Sequence, residues 1–571
     1  MQKKDQIIEK TFALAIQNHK KNKFTLAIDL YKKILNINPN NLKAIFLLGT
    51  LFAQIKKFKE AEEFLSKLIK INPRIADAHN NLGLVFKELG ELDKAETSIK
   101  KAIELNPKHA DAHNNLGLLF KELGEIDKSK ISHEKAIELN PKHADAYNNL
   151  ASLYKKFGEF KKSEIFYEKA IEINPRYVEA HNNLMELYEK TNQDDKLNSA
   201  IANAEKLIKN NANVKLFKGK LLHKKEFFLE AIENLNSFSF DSKKITLERS
   251  RVSTLAKCYD RINNTDKAFN YFQKTNNINL QLKNNEIDKD KYLKKIKIRA
   301  KFFNNPAIEK WPLVKLKNNR AEPIFLIGFP RSGTTLLDTI LRSHPLIEVI
   351  EEKPILAGLI NSLNQLPDGP LEGLRKIEDH KLEEIRKNYY DSLESYINNH
   401  DSSKLYIDKM PLNIIHVAEI LRIFPNAKFI ISIRHPCDCV LSCFMQDFHL
   451  NNAMSNFLKL DDSAKLYDSV MNLWFEYKSK FSFNYHEVRY ENLISNFETK
   501  VKSALDFLEL SWDNSLHNFH KTAKKRERIF TSSYDQVIKP IYSQASGRWV
   551  RYKEHISEIY PILEPWIKKL N

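Results

Sequence analysis

The sequence predicts two unlike parts: an all-α solenoid of paired helices, then an α/β domain built on a central parallel sheet. Three observations predict this. A period of 34 residues repeats without gaps through the first third of the chain. After Pro323 the pattern changes to short apolar runs alternating with amphipathic stretches. Between the first apolar run and its helix pattern stands a glycine-bearing loop, FLIGFPRSGTTLL, residues 325 to 337. Short repeats bury a core only by stacking on their neighbours. Strands alternating with helices imply parallel pairing.

At 571 residues the chain exceeds a single core. Its 42% hydrophobic and 29% charged residues are those of globular proteins. A formal net charge of +18 favours anionic ligands. Lys is abundant everywhere, however, so part of that charge is general composition. No basic motif interleaved with aromatics accompanies it, so nucleic acid is not an expected partner. The N-terminus, MQKKDQIIEKTFALAIQNHKK, is amphipathic and lacks the apolar core of a signal peptide. No stretch approaches the ~20 apolar residues of a membrane span. A cytoplasmic protein with no membrane partner is expected. Of the four cysteines, Cys437, Cys439 and Cys443 cluster and Cys258 stands alone. They lack a second ligand pair at zinc-like spacing, so they read as buried small residues and no metal is expected.

The repeat blocks begin at Thr11, Ile45, His79, His113, Tyr147 and His181. Gly49, Gly83 and Gly117, then Ala151, recur in register where two helices approach closely. Ala27, Ala61 and Ala95, then Ser129 and Ser163, do the same on the second helix, and Pro39, Pro73, Pro107, Pro141 and Pro175 close it. This pattern is similar to that of tetratricopeptide repeats, with six periods over residues 11 to 214. TLAKCYDRINNTDKAFNYFQKTNNI, from Thr254, resembles a worn repeat. The expected organisation is a solenoid over 1–280, a helical linker over 281–320 and the α/β domain over 321–571.

Asn81, Asn115, Asn149 and Asn183 repeat on the first helix of each pair, which lines the concave face of such arrays. A carboxamide both donates and accepts, so a row of them suits the backbone of an extended peptide. The arrangement resembles the asparagine ladder of peptide O-GlcNAc transferases; the alternative is consensus residues at a tolerant position. A protein or peptide bound on the concave face is the partner this implies.

In the loop, Gly328 and Gly333 enclose four residues, as in a phosphate-binding P-loop, but Thr334 stands where the lysine belongs. A loop between strand and helix offers free N–H groups and a helix N-terminus to an anion. The strand KFIISIR ends in Arg434, where a nucleotide triphosphatase has a carboxylate for Mg²⁺. The ligand should carry one anionic group at the loop and a second at Arg434, without a metal.

PIFLIGFPRSGTTLLDTILRSHP resembles the 5′-phosphosulfate loop of sulfotransferases, and IISIRHPCDCVLSCF resembles their 3′-phosphate motif. EVRYENLI, FLELSW, SSYDQVIKP and GRWV are similar to segments of the protein-tyrosine branch, in the same order. The resemblance implies 3′-phosphoadenosine-5′-phosphosulfate as co-substrate. It implies that Ser332, Gly333, Thr334 and Thr335 cradle the 5′-phosphate, with Arg331 at the bridging region. Arg434 and Ser442 would hold the 3′-phosphate, assisted by Tyr490 and Arg548. Glu352, in IEVIEEKPIL, matches the catalytic glutamate. A carboxylate takes a phenol or alcohol proton best when burial and like charge raise its proton affinity, and Glu351 stands beside it. Lys409, in YIDKMPLN, matches the lysine that bridges donor and acceptor, and Ser533 matches its serine partner.

Pro354 and Gln446 stand where the tyrosine branch has arginines. A protein tyrosine presented by the repeats is the favoured acceptor; a glycan, lipid or small alcohol, with the repeats serving only assembly, is the alternative. A scaffold that has lost catalysis is a third reading, opposed by the intact motif residues.

Overall fold

Each period of the sequence becomes a helix, a tight turn and a second helix. Ala76–Glu88 pairs with Leu92–Leu105, and Ala110–Glu122 with Ile126–Leu139. The turn needs one left-handed residue, and it recurs with the period: Asn22, Lys56, Gly90, Gly124, Gly158, Asn192 and Glu226 have φ between 54° and 79°. Glycine takes this conformation without steric cost, and asparagine tolerates it better than most residues. Asn263, at φ 60°, takes the same role between Ile245–Arg261 and Thr265–Leu282, the pair that the worn repeat becomes.

The computed structural model describes residues 2–305, 320–397, 399–525 and 546–570. Two units result, Met1–Glu226 and Phe227–Asn571. In the first, alanines 27, 61 and 95 and the larger Leu48, Leu65 and Ile99 are wholly buried in one continuous core. At the position of Leu65 and Ile99 the fourth repeat has His133, equally buried. Its Nδ1 lies 2.9 Å from Asn114 Oδ1, and a Cβ at Gly117 would fall 2.7 Å from its ring. Burial pushes this imidazole down to about 3.

In the second unit, the helices after Phe227 pack on the sheet-bearing part. Asn276 donates to the carbonyl of Phe444 at 2.9 Å, and Lys289 meets Asp462 at 2.7 Å. The Lys-rich stretch forms helix Lys289–Phe303. Its Arg299 makes a buried pair with Glu419 at 2.5 Å, and Phe303 meets Tyr477 edge-on.

The sheet has five strands: β1 (Ile324–Gly328), β2 (Ile347–Glu351), β3 (Leu405–Lys409), β4 (Lys428–Ile433) and β5 (Asn484–Arg489). All neighbours are parallel, in the order β2-β3-β1-β4-β5. Strand β1 is central and wholly buried, which is why IFLIG is continuously apolar. Chain order reverses on either side of β1, and open α/β sheets bind ligands at such a switch point, beyond the strands' carboxyl ends. Among the described residues no helix is long and apolar enough to cross a membrane.

Candidate active site

The loop after β1 is fastened through its carbonyls. Ser432 Oγ donates to Ser332 O at 2.9 Å, Arg434 Nη1 to Arg331 O at 3.1 Å, and Cys443 Sγ to Pro330 O at 3.3 Å. Anchoring by carbonyls keeps the loop's shape and leaves the outward role to N–H groups. Gly333 caps helix Thr334–Leu341 at φ 106°, and a Cβ there would lie 2.6 Å from the Tyr490 ring. Only glycine fits. Thr334 and Thr335 open the helix as buried residues, and Ser332 is buried with its Oγ unpartnered among the described residues. A tight loop with an unsatisfied hydroxyl at a helix start fits an anionic group of phosphate size.

Beside it lies a cluster of arginines. Arg331 takes φ 68°, and its Nε donates to Ser442 Oγ at 3.0 Å. Arg434 stacks over Tyr490 with its guanidinium carbon 4.8 Å from the ring centre. These four predicted residues are thus brought together by the ends of β4 and β5, the loop, and helix Pro436–Phe444. The same helix buries the cysteine cluster: burial pushes Cys437 up to about 12, and Cys439 donates to Arg434 O. Among the described residues no group of three or more His, Cys, Asp or Glu is placed to hold a metal ion.

Across the sheet, Glu352 follows β2 in a left-handed conformation, φ 50°. Its N–H bonds the Lys409 carbonyl at 2.8 Å, extending the β2–β3 ladder by one step. The Lys409 ammonium is wholly buried, 2.6 Å from Glu352 Oε1 and 3.6 Å from Glu351 Oε1. Glu351 is buried whereas Glu352 is partly open. The like-charge pair read from the sequence is therefore bridged by a cation, because parallel register sets Glu351 opposite Lys409. At this site both Arg331 and Glu352 are held at positive φ, which costs a non-glycine residue about 1–3 kcal/mol.

Arg548 stands apart from the anion cluster in its contacts, pairing with Asp260 at 2.7 Å. Ser533 lies outside the described residues. Asp438 was not singled out by sequence reasoning, yet its carboxylate accepts from the N–H groups of Gly547 and Trp549 at 2.8 and 2.9 Å. An acid in the first turn of a helix ordinarily serves the N-terminus of its own helix, so no local signal pointed to these distant partners. Nothing in sequence pointed to Asp260.

In the repeat unit, the four ladder residues are half-buried and linked sideways. Asn115, Asn149 and Asn183 donate to Asn80, Asn114 and Asn148 of the preceding repeat at 2.9–3.0 Å, and Asn81 donates to Thr50 at 3.3 Å. Each carboxamide spends one N–H on its neighbour and is thereby oriented.

Known families match different parts of the chain. The model of the sulfotransferase family matches residues 323–514, and tetratricopeptide repeat models match 19–82, 76–109, 99–130 and 144–177. The chain thus joins a sulfotransferase-family domain to tetratricopeptide repeats. It is similar to an uncharacterized protein of Aquifex aeolicus, 24% identical over 327 residues, covering 55% of this chain and 41% of that one. Protein-tyrosine sulfotransferase A of Caenorhabditis elegans is 30% identical over 119 residues, covering 20% of this chain and 31% of the relative. The chain therefore spans less than half the length of these curated relatives. Among solved structures, MamA is 30% identical over 28% of this chain and 94% of its own, with a TM-score of 0.25. A thermophilic tetratricopeptide repeat protein of Thermus thermophilus is 23% identical over 32% of this chain and 99% of its own, with a TM-score of 0.30.

Proposed function

We propose that this protein moves a sulfuryl group from 3′-phosphoadenosine-5′-phosphosulfate to an acceptor hydroxyl, preferentially a protein tyrosine delivered by the repeats, in the cytoplasm. The observation that carries the reading is the gathering, at the carboxyl ends of five parallel strands, of an anion loop, an arginine cluster and the Lys409–Glu352 pair.

The roles follow from the chemistry. When bound, the donor supplies the sulfuryl group. The backbone of Ser332, Gly333, Thr334 and Thr335 holds its 5′-phosphate, and Arg331 balances charge on the reacting oxygens. Arg434, Ser442 and Tyr490 hold the 3′-phosphate, with Arg548 proposed to assist them. Glu352 receives the acceptor's proton: it is the more open of the two acids and is steered by the Lys409 ammonium. Lys409 then supplies positive charge toward the departing phosphate oxygen, with Ser533 proposed as its partner. Half-buried, laterally braced carboxamides support peptide capture by Asn81, Asn115, Asn149 and Asn183, because each keeps its oxygen for a main-chain N–H.

The test is transfer of radiosulfur from labelled donor, with chelator present, into a cell lysate separated into protein, glycan and lipid, using Glu352→Ala as control. Label in protein that depends on Glu352 supports the tyrosine reading. Label confined to glycan or lipid removes the protein acceptor, and no transfer at all removes the enzyme.

A further inference from the structure

We infer that Asp260 is a positioning residue for the donor's 3′-phosphate, acting through Arg548; the inference rests on the donor proposed above. Asp260 lies near the end of helix Ile245–Arg261, outside the family match, and is buried. Its carboxylate meets Arg548 on two prongs, Oδ2 with Nη2 at 2.7 Å and Oδ1 with Nε at 3.3 Å. Arg551 Nη2 reaches Oδ1 at 3.3 Å, and the Tyr552 hydroxyl donates to the same oxygen at 2.7 Å. One carboxylate shared by two guanidiniums leaves a net positive charge, so the group still attracts an anion.

The backbone on either side of Arg548 is pinned independently. Asp438 accepts from Gly547 N and Trp549 N, lies 3.8 Å from Arg434 Nη2, and sits on the helix that carries Ser442. The Trp549 ring stacks on His435, the residue after Arg434, at 4.9 Å and 8°. The segment Gly547–Tyr552 is thus clasped twice: Asp438 ties its backbone to helix Pro436–Phe444, just after Arg434, and Asp260 ties its arginines to the helical layer before the sheet. An arginine already restrained by a carboxylate loses less rotamer freedom when it meets a phosphate, and its remaining N–H groups keep a set direction. The helices after Phe227 therefore complete the donor site as well as packing on it.

The experiment titrates the full chain and Asp260→Asn with 3′-phosphoadenosine 5′-phosphate and with adenosine 5′-monophosphate, alongside thermal unfolding. The amide weakens the bisphosphate about tenfold, as loss of a charge-assisted contact does, and leaves the monophosphate within about twofold. Donor KM rises with kcat unchanged, and Asp260→Glu restores the preference. Equal weakening of both nucleotides, or an unchanged preference, overturns the inference. A wild-type chain that binds the two nucleotides alike removes the donor reading itself, and the inference with it.

Discussion

The ammonium of Lys409 lies 2.6 Å from the carboxylate of Glu352, the residue beyond the end of β2, and 3.6 Å from that of Glu351. A buried cation between two acids is held by both, and each acid is oriented by it. If Glu352 is the base, Glu352→Gln lowers kcat by ~10²–10⁴. Donor affinity, measured by titration with the bisphosphate product, stays within about twofold, since the anion loop is untouched.

Gly333→Ala tests the loop. The new Cβ would stand 2.6 Å from the Tyr490 ring at a φ of 106°, so either the loop or the ring must move. A loss of about 1–3 kcal/mol in stability is expected by chemical denaturation, together with loss of nucleotide binding. Unchanged binding would show that the loop's N–H groups do not hold the anion.

The ladder is tested by the pair Asn115→Ala and Asn149→Ala. Each removes a hydrogen bond of about 1 kcal/mol to an extended peptide, so together they weaken capture of a protein acceptor roughly tenfold or more. Sulfation of a small phenol stays at the wild-type rate. Equal loss for both acceptors would instead place the asparagines in the repeat scaffold alone.

His133 makes stability depend on pH in a stated direction. Folded, it is neutral until about 3, while an unfolded histidine titrates near ~6.5. The unfolded chain therefore binds the extra proton between those values, and the stability of the first unit falls as pH drops through that window. The slope is at most about 1.4 kcal/mol per pH unit. His133→Leu, which matches the residue type at Leu65, should flatten this part of the denaturation profile. Its Nδ1 proton goes to Asn114 Oδ1, which also accepts from the ladder residue Asn149 at 3.0 Å. The same variant therefore reports whether the core histidine orients the ladder.

The repeat period, the helix pairs and the alternation of strand and helix are legible in the sequence, because local spacing of apolar, small and turn residues sets them. The same spacing located the glycine loop between its strand and helix, whereas Arg331, Arg434, Ser442 and Tyr490 stood out through the resemblance of their motifs to those of sulfotransferases, and these motifs do converge.

Which charges face one another emerged only from the packed fold. The order β2-β3-β1-β4-β5 seats Lys409 beside Glu351 and Glu352 although they are 57 and more residues apart. That placement turned an expected pair of repelling acids into a bridged one. Asp260 meets Arg548 across 288 residues, and Asp438 takes up the N–H groups around it. No local pattern announces such contacts: an ion pair needs only proximity, and proximity between distant segments is set by the packing of the sheet and its flanking helices.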